Sequence, residues 1–136
     1  MKNVLVDSNV LIAIYDINDS LRHRAVDDLS RFEQNKVNIW ITEHILSEVL
    51  TILSNRGLKQ QIEDIINKIE NAQLHIYYPD NAQTAWKINK KVAQKLVLQQ
   101  KTHASYTDLH QLVLVEDGFL TDSANHSYDH HLNHAD

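Results

Sequence analysis

The sequence predicts an α/β domain built around a short, mainly parallel sheet, and three observations carry that prediction. Short runs rich in Val, Ile and Leu, at 3–6, 37–41 and 74–77, alternate with longer segments of helical periodicity. Spacers of ten or more residues are what parallel strands require, because a crossover must return the chain to the same sheet edge. Only two Gly and one Pro occur in 136 residues, which leaves little material for tight turns and favours helical connections.

Element by element, residues 3–6 read as a buried-type strand of Asn, Val and Leu, followed by a short helix from about Asn9 to Tyr15. A longer helix runs from about Asp19 to Phe32, with Leu21, Ala25, Leu29 and Phe32 at helical spacing. Residues 37–41, Val-Asn-Ile-Trp-Ile, alternate at period two and give a second strand. Helices cover about 43–55 and 58–71, the latter with Leu58, Ile62, Ile65, Ile66 and Ile69 on one face. A third strand at 74–77 is ended by Pro79; helices follow over about 81–100 and 106–115. Gly118-Phe119-Leu120-Thr121 reads as a fourth strand, and the chain from about 124 to 136 shows no strand pattern.

A chain of this length fits one domain, 1–136, able to bury roughly two-thirds of its unfolded surface. Its composition, 43% hydrophobic and 23% charged, is that of a globular protein and argues against a disordered one. Cysteine is absent, which removes disulfides and thiolate metal sites and fits a reducing cytoplasm. No basic leader precedes an apolar stretch and no apolar run approaches about 18 residues, so a soluble, unexported protein with no membrane partner is expected.

Function enters through the acids. Asp7 interrupts two apolar runs, Val4-Leu5-Val6 and Val10 to Ile14, where an unpaired carboxylate is costly. It stands immediately past the first strand, and Asp122 is expected immediately past the last; ligands gather beyond the carboxyl ends of parallel strands. Glu48 borders the apolar face of its helix, among Ile45, Val49 and Ile52. Asp108 opens an apolar helix, where Ser105 or Thr107 could cap it. Singly, each acid has a plainer reading as a cap or a solvated edge residue. Four acids drawn together would repel one another, and a hard divalent cation, Mg²⁺ or Mn²⁺, with its taste for oxygen ligands, resolves the conflict. Such an ion activates water and offsets charge on a phosphodiester, the chemistry of metal-dependent nucleases.

The segments that hold these acids resemble the PIN-domain family, and within it the small VapC-like toxins of prokaryotic toxin–antitoxin pairs. "VLVDSNVLIAIYD" is similar to the family's opening strand and its D-[ST]-[NS] motif, "WITEHILSEVLTIL" to its Glu-bearing helix, "SYTDLHQLVLV" to its third motif, and "GFLTDS" to a closing strand followed by T-x-D or T-D. The resemblance implies a three-layer α/β/α fold on a central sheet of four to five strands. It implies a metal-dependent endoribonuclease acting on single strands, with single-stranded or structured RNA as the substrate partner. Asp7, Glu48 and Asp108 would hold one Mg²⁺ or Mn²⁺, with Asp122 holding or completing a second. Ser8, Asn9 and Thr121 would steady these carboxylates by hydrogen bonds. It also implies a cognate antitoxin, a homodimer and a cytoplasmic place of action.

Net charge is -5, which by itself argues against nucleic-acid binding. Lys87, Lys91 and Lys95 nevertheless recur at four-residue spacing, with Lys90 beside them, as a solvated face or as an RNA-contacting rail. Nine His occur; His126, His130 and His134 have the i,i+4 spacing of a helical metal site, although a His-rich tail is the plainer reading. His110, within a turn of Asp108, is expected at the surface, with a place near the site as the alternative. Two further functions stay open: a non-catalytic PIN-like module that binds RNA or protein, and a haloacid dehalogenase-type phosphatase, although Asn9 stands where that class wants a second Asp.

Overall fold

The computed structural model describes residues 1–99 and 104–128. In chain order the elements are β1 (Asn3–Val6), α1 (Ser8–Tyr15), α2 (Arg22–Gln34), β2 (Asn38–Thr42), α3 (Glu43–Asn55), α4 (Lys59–Glu70), β3 (His75–Tyr77), α5 (Ala82–Leu98), α6 (Tyr106–Glu116) and β4 (Ser123–His126). The strands form one sheet in the order β3-β2-β1-β4, and every pairing is parallel. The chain builds outward from β1 to β2 and β3, then returns to β1's other side with β4. The reversal falls between β1 and β4, which is where open α/β sheets place their crevice.

Alternation along the strands separates two cores. Val4 and Val6 of β1, with Ile39 and Ile41 of β2, face α1, α2, α3 and α4, where they meet Ile45, Val49, Leu53 and Ile65. Leu5 and Trp40 point the other way, toward Ile88 and Val92 of α5 and Leu109, Leu112, Val113 and Leu114 of α6. With helices on both faces the architecture is a three-layer α/β/α fold, and strands buried on both sides explain the continuous apolar run of Val4-Leu5-Val6. Ile41, Ile45, Leu53 and Ile65 have no exposed surface, so truncating any one to Ala costs about 2–5 kcal/mol.

The last strand differs from expectation. Residues 118–121 are not a strand: Gly118, at φ +77, ends α6, and the Leu120 N–H returns to the Leu114 carbonyl at 2.9 Å. Leu120 is thereby folded into the α5–α6 core, the hydrophobic contact that commonly follows a left-handed helix stop. The true strand is Ser123–His126, paired over its whole length with β1 from Asn3↔Ser123 to Val6↔His126. Its Ser-Ala-Asn-His sequence carries no strand pattern, because its place is set by the ladder that β1 offers and not by intrinsic propensity. The expectation of irregular chain from 124 is thus corrected for 124–126. No helix among the described residues is long and apolar enough to cross a membrane.

Candidate active site

Asp7 follows β1 directly and is 4% exposed. Its backbone stays in the ladder, with Asp7 N donating to the His126 carbonyl at 3.0 Å, and its own carbonyl receives the first turn of α1. Its carboxylate answers the cost of burial by accepting hydrogen bonds. Oδ1 accepts from the Ser8 amide at 2.7 Å and from Gln111 Nε2 at 3.0 Å; Oδ2 accepts from Ser127 Oγ at 2.9 Å. Gln111 comes from the buried middle of α6 and Ser127 from the residue after β4, so three elements converge on one side chain. Asn9 fastens Ser127 in turn: its Nδ2 donates to Ser127 Oγ at 3.2 Å, and its Oδ1 accepts from the Tyr128 amide at 3.3 Å.

Glu48 projects from the second turn of α3, the helix that starts directly after β2 and is capped by the Thr42 hydroxyl on Ile45 N. Burial of its carboxyl group raises its pKa; a hydrogen bond from Ser8 opposes the rise, and the charges of Asp7 and Asp108 add to it. Asp7, Glu48 and Asp108 therefore share one electrostatic neighbourhood. Asp108 is fixed by a capping box at the start of α6: its N–H donates to Ser105 Oγ, and its Oδ2 accepts from Ser105 N, both at 3.2 Å. Among the described residues no three acids or histidines stand close enough, as placed, to hold a metal ion. The donor set still fits a hard divalent cation in kind: three carboxylates from three elements, without thiolate, and with like charges that raise the proton affinity of Glu48.

Asp122 is not with them. Its carbonyl accepts from Lys2 N at 3.2 Å and Asn3 N at 3.1 Å, ahead of β1, and the Thr121 carbonyl accepts from Asn3 Nδ2. Both residues precede β4, one strand length, or about 13 Å, from Asp7's edge. The placement of Asp122 as a fourth acid, and of Thr121 as its support, is corrected for that reason: the strand was displaced in sequence, and the acid before a parallel strand lies at the wrong end of the sheet. The lysine stripe also has other company. Lys91 Nζ lies 3.2 Å from Asp117 and Lys95 Nζ 3.9 Å from Glu116, past the far end of α6 from Asp108, while Lys87 is exposed on α5.

Three contributors lie outside the expected set. Gln111 and Ser127 hold Asp7. Asp28 of α2, 4% exposed, ties down the segment after β4: it accepts from Tyr128 Oη at 2.7 Å, pairs with His126 Nε2 at 3.0 Å and bonds to Arg31. Burial pushes the Asp28 carboxyl up, but the bonds from Tyr128, Arg31 and His126 outweigh it and leave its pKa lowered. His126 thus serves as a hydrogen-bond partner of Asp28; His130 and His134 of the expected His cluster lie outside the described residues. His110 corrects another expectation. It is buried, its pKa pushed down to about 4 by burial and by His44, because α6 is enclosed on every side from Leu109 to Leu114.

The family model for the PIN domain matches residues 4–116. Among solved structures, the fold is similar to the crystal structure of Mycobacterium tuberculosis VapC20, a sarcin-ricin loop cleaving toxin. The TM-score is 0.75 at 14% identity, over 97% of this chain and 94% of that one. No curated protein matches the sequence.

Proposed function

Because the chain belongs to the PIN-domain family, we propose that it is a divalent-metal-dependent endoribonuclease for single-stranded RNA, the toxin of a toxin–antitoxin pair. The observation that carries this reading is the shared field of Asp7, Glu48 and Asp108 at the sheet's switch point. These three would hold Mg²⁺ or Mn²⁺, which supplies an activated water and offsets charge on the phosphodiester. The chain's own work is positioning. Gln111, Ser127 and the Ser8 amide fix both carboxylate oxygens of Asp7, and the Ser105 capping box fixes Asp108. Such supporting groups orient ligands and are worth about 10–100-fold in metal affinity or activity. An antitoxin partner, a homodimer and a cytoplasmic location belong to the same proposal.

The separation of the acids among the described residues favours one alternative, a non-catalytic RNA- or protein-binding module. Labelled single-stranded RNA incubated with Mn²⁺ separates the two. The nuclease reading expects metal-dependent cleavage that Asp7→Asn abolishes; cleavage unchanged by that substitution, or turnover of small phosphomonoesters instead of RNA, refutes it. Saturable Mn²⁺ binding lost in Asp7→Asn supports the site, and its absence in the wild-type chain supports the module.

A further inference from the structure

Beside the acids, at the same sheet edge, lies a hollow of about 190 Å³ lined by His44, Tyr77, Pro79, Asn89 and His110, with Glu43 at its rim. We propose that it receives one base of the RNA strand next to the scissile phosphate, an inference that rests on the ribonuclease reading. Four observations lead there. His110 is 7% exposed and its Nδ1 is buried with no hydrogen-bond partner among the described residues, a group whose desolvation a ligand hydrogen bond would offset. Flat rings cluster around it: His44 at 5.0 Å and Tyr106 at 6.1 Å between ring centroids, the latter stacked at 24°. Tyr106 Oη donates to Asn89 Oδ1 at 2.5 Å, which fixes the amide and turns its N–H groups to other acceptors. Among the described residues the lining holds no Lys or Arg and includes Glu43, so it disfavours phosphate. Stacking surfaces with imidazole and amide groups are what proteins use to read unpaired bases.

Position and size agree with this occupant. His44 precedes Glu48 by one helical turn on α3, and the His110 ring lies 5.0 Å from that of His44. Residues one turn apart are about 5–6 Å apart on a helix, so a base in the hollow belongs to a nucleotide adjoining the metal-binding acids. At about 190 Å³, the hollow has room for a planar heterocycle.

The test uses the full chain carrying Asp7→Asn, so that RNA is bound without being cut, and 12-nucleotide fluorescein-labelled RNAs with one abasic site moved along the strand. Anisotropy titrations should show one position where the abasic site weakens binding by roughly 5- to 150-fold, the usual worth of a stacked base. His44→Ala should erase that difference while leaving the affinity for the abasic RNA unchanged. His110→Phe, which keeps the ring but not Nδ1, should keep stacking and lose discrimination among the four bases at that position. A flat abasic scan, or His44→Ala weakening every RNA equally, overturns the subsite. Cleavage by the wild-type chain together with a flat scan removes the subsite and leaves the nuclease standing. Base-dependent binding without cleavage removes the nuclease and leaves the subsite.

Discussion

Asp28→Ala tests whether the segment after β4 is held from α2. The carboxylate is 4% exposed and accepts from Tyr128 Oη at 2.7 Å and His126 Nε2 at 3.0 Å. Hydrogen bonds to a charged group contribute about 1.5–3 kcal/mol each. Arg31 is discounted because its side chain is 67% exposed. Recovered hydration of the lost carboxylate offsets part of the sum, and about 3 kcal/mol remains, at the low end of the cost of breaking a buried pair. At about 4 °C per kcal/mol for a domain of this size, Tm should fall by about 12 °C in circular dichroism melts at pH 7. Exchange of the Tyr128 amide, which donates to Asn9 Oδ1, should quicken more than exchange in β2. Because the Asp28 pKa is lowered in the folded state, its contribution is fully present above the unfolded value of about 3.9 and disappears as pH falls through the folded one. The gap between wild type and Asp28→Asn should therefore close below about pH 4. A Tm fall under about 2 °C with unchanged Tyr128 exchange would refute the reasoning.

Gln111→Leu removes the donor to Asp7 but also a buried carbonyl oxygen, Oε1, that has no hydrogen-bond partner among the described residues. Stability should change by less than about 1 kcal/mol, while Mn²⁺ affinity by calorimetry falls about 10–100-fold; equal affinity would show that Gln111 does not position Asp7. Glu48→Gln in EDTA should raise Tm at pH 7, since the raised folded pKa of Glu48 means that its ionised form opposes folding. That gain should vanish below the ordinary Glu range and shrink on adding Mg²⁺, and a lower Tm at pH 7 would contradict it. Ser105→Ala removes the hydroxyl half of a capping box and should cost about 1 kcal/mol in urea titrations, while the Ser105 amide that donates to Asp108 Oδ2 remains; an unchanged urea midpoint would contradict the cap.

Some of this was legible from residues alone. The parallel α/β plan followed from apolar runs spaced by helical segments, and Asp7, Glu48 and Asp108 each broke an apolar pattern at an element's start or edge. Asp28 carried the same kind of signal: it lies three residues after Ala25 and one before Leu29, on the apolar stripe of α2. Gln111 also did, as a polar residue amid Leu109, Leu112, Val113 and Leu114. Ser127 gave none, because its role depends on β4, a strand whose own residues would not form one alone. Asp122 misled because Phe119-Leu120 has the apolar character of a strand, yet those residues close a helix. His110 was misplaced for a related reason: α6 is wrapped on all sides from Leu109 to Leu114, so a polar residue within that stretch is buried whichever way it points.

The hydrogen bond from Ser127 to Asp7 spans 120 positions of sequence, and that separation has a temporal meaning. A ribosome adding about 5–20 residues each second makes residue 127 some 6–24 s after residue 7. During that interval β1, α1, α2, β2 and α3 can all emerge and pack, but Asp7 lacks the donor to its Oδ2 and β1 lacks its β4 neighbour. Pairings this distant along the chain also form slowly once they are possible. The carboxylate at the centre of the proposed chemistry thus lacks one of its donors until residue 127 has been made.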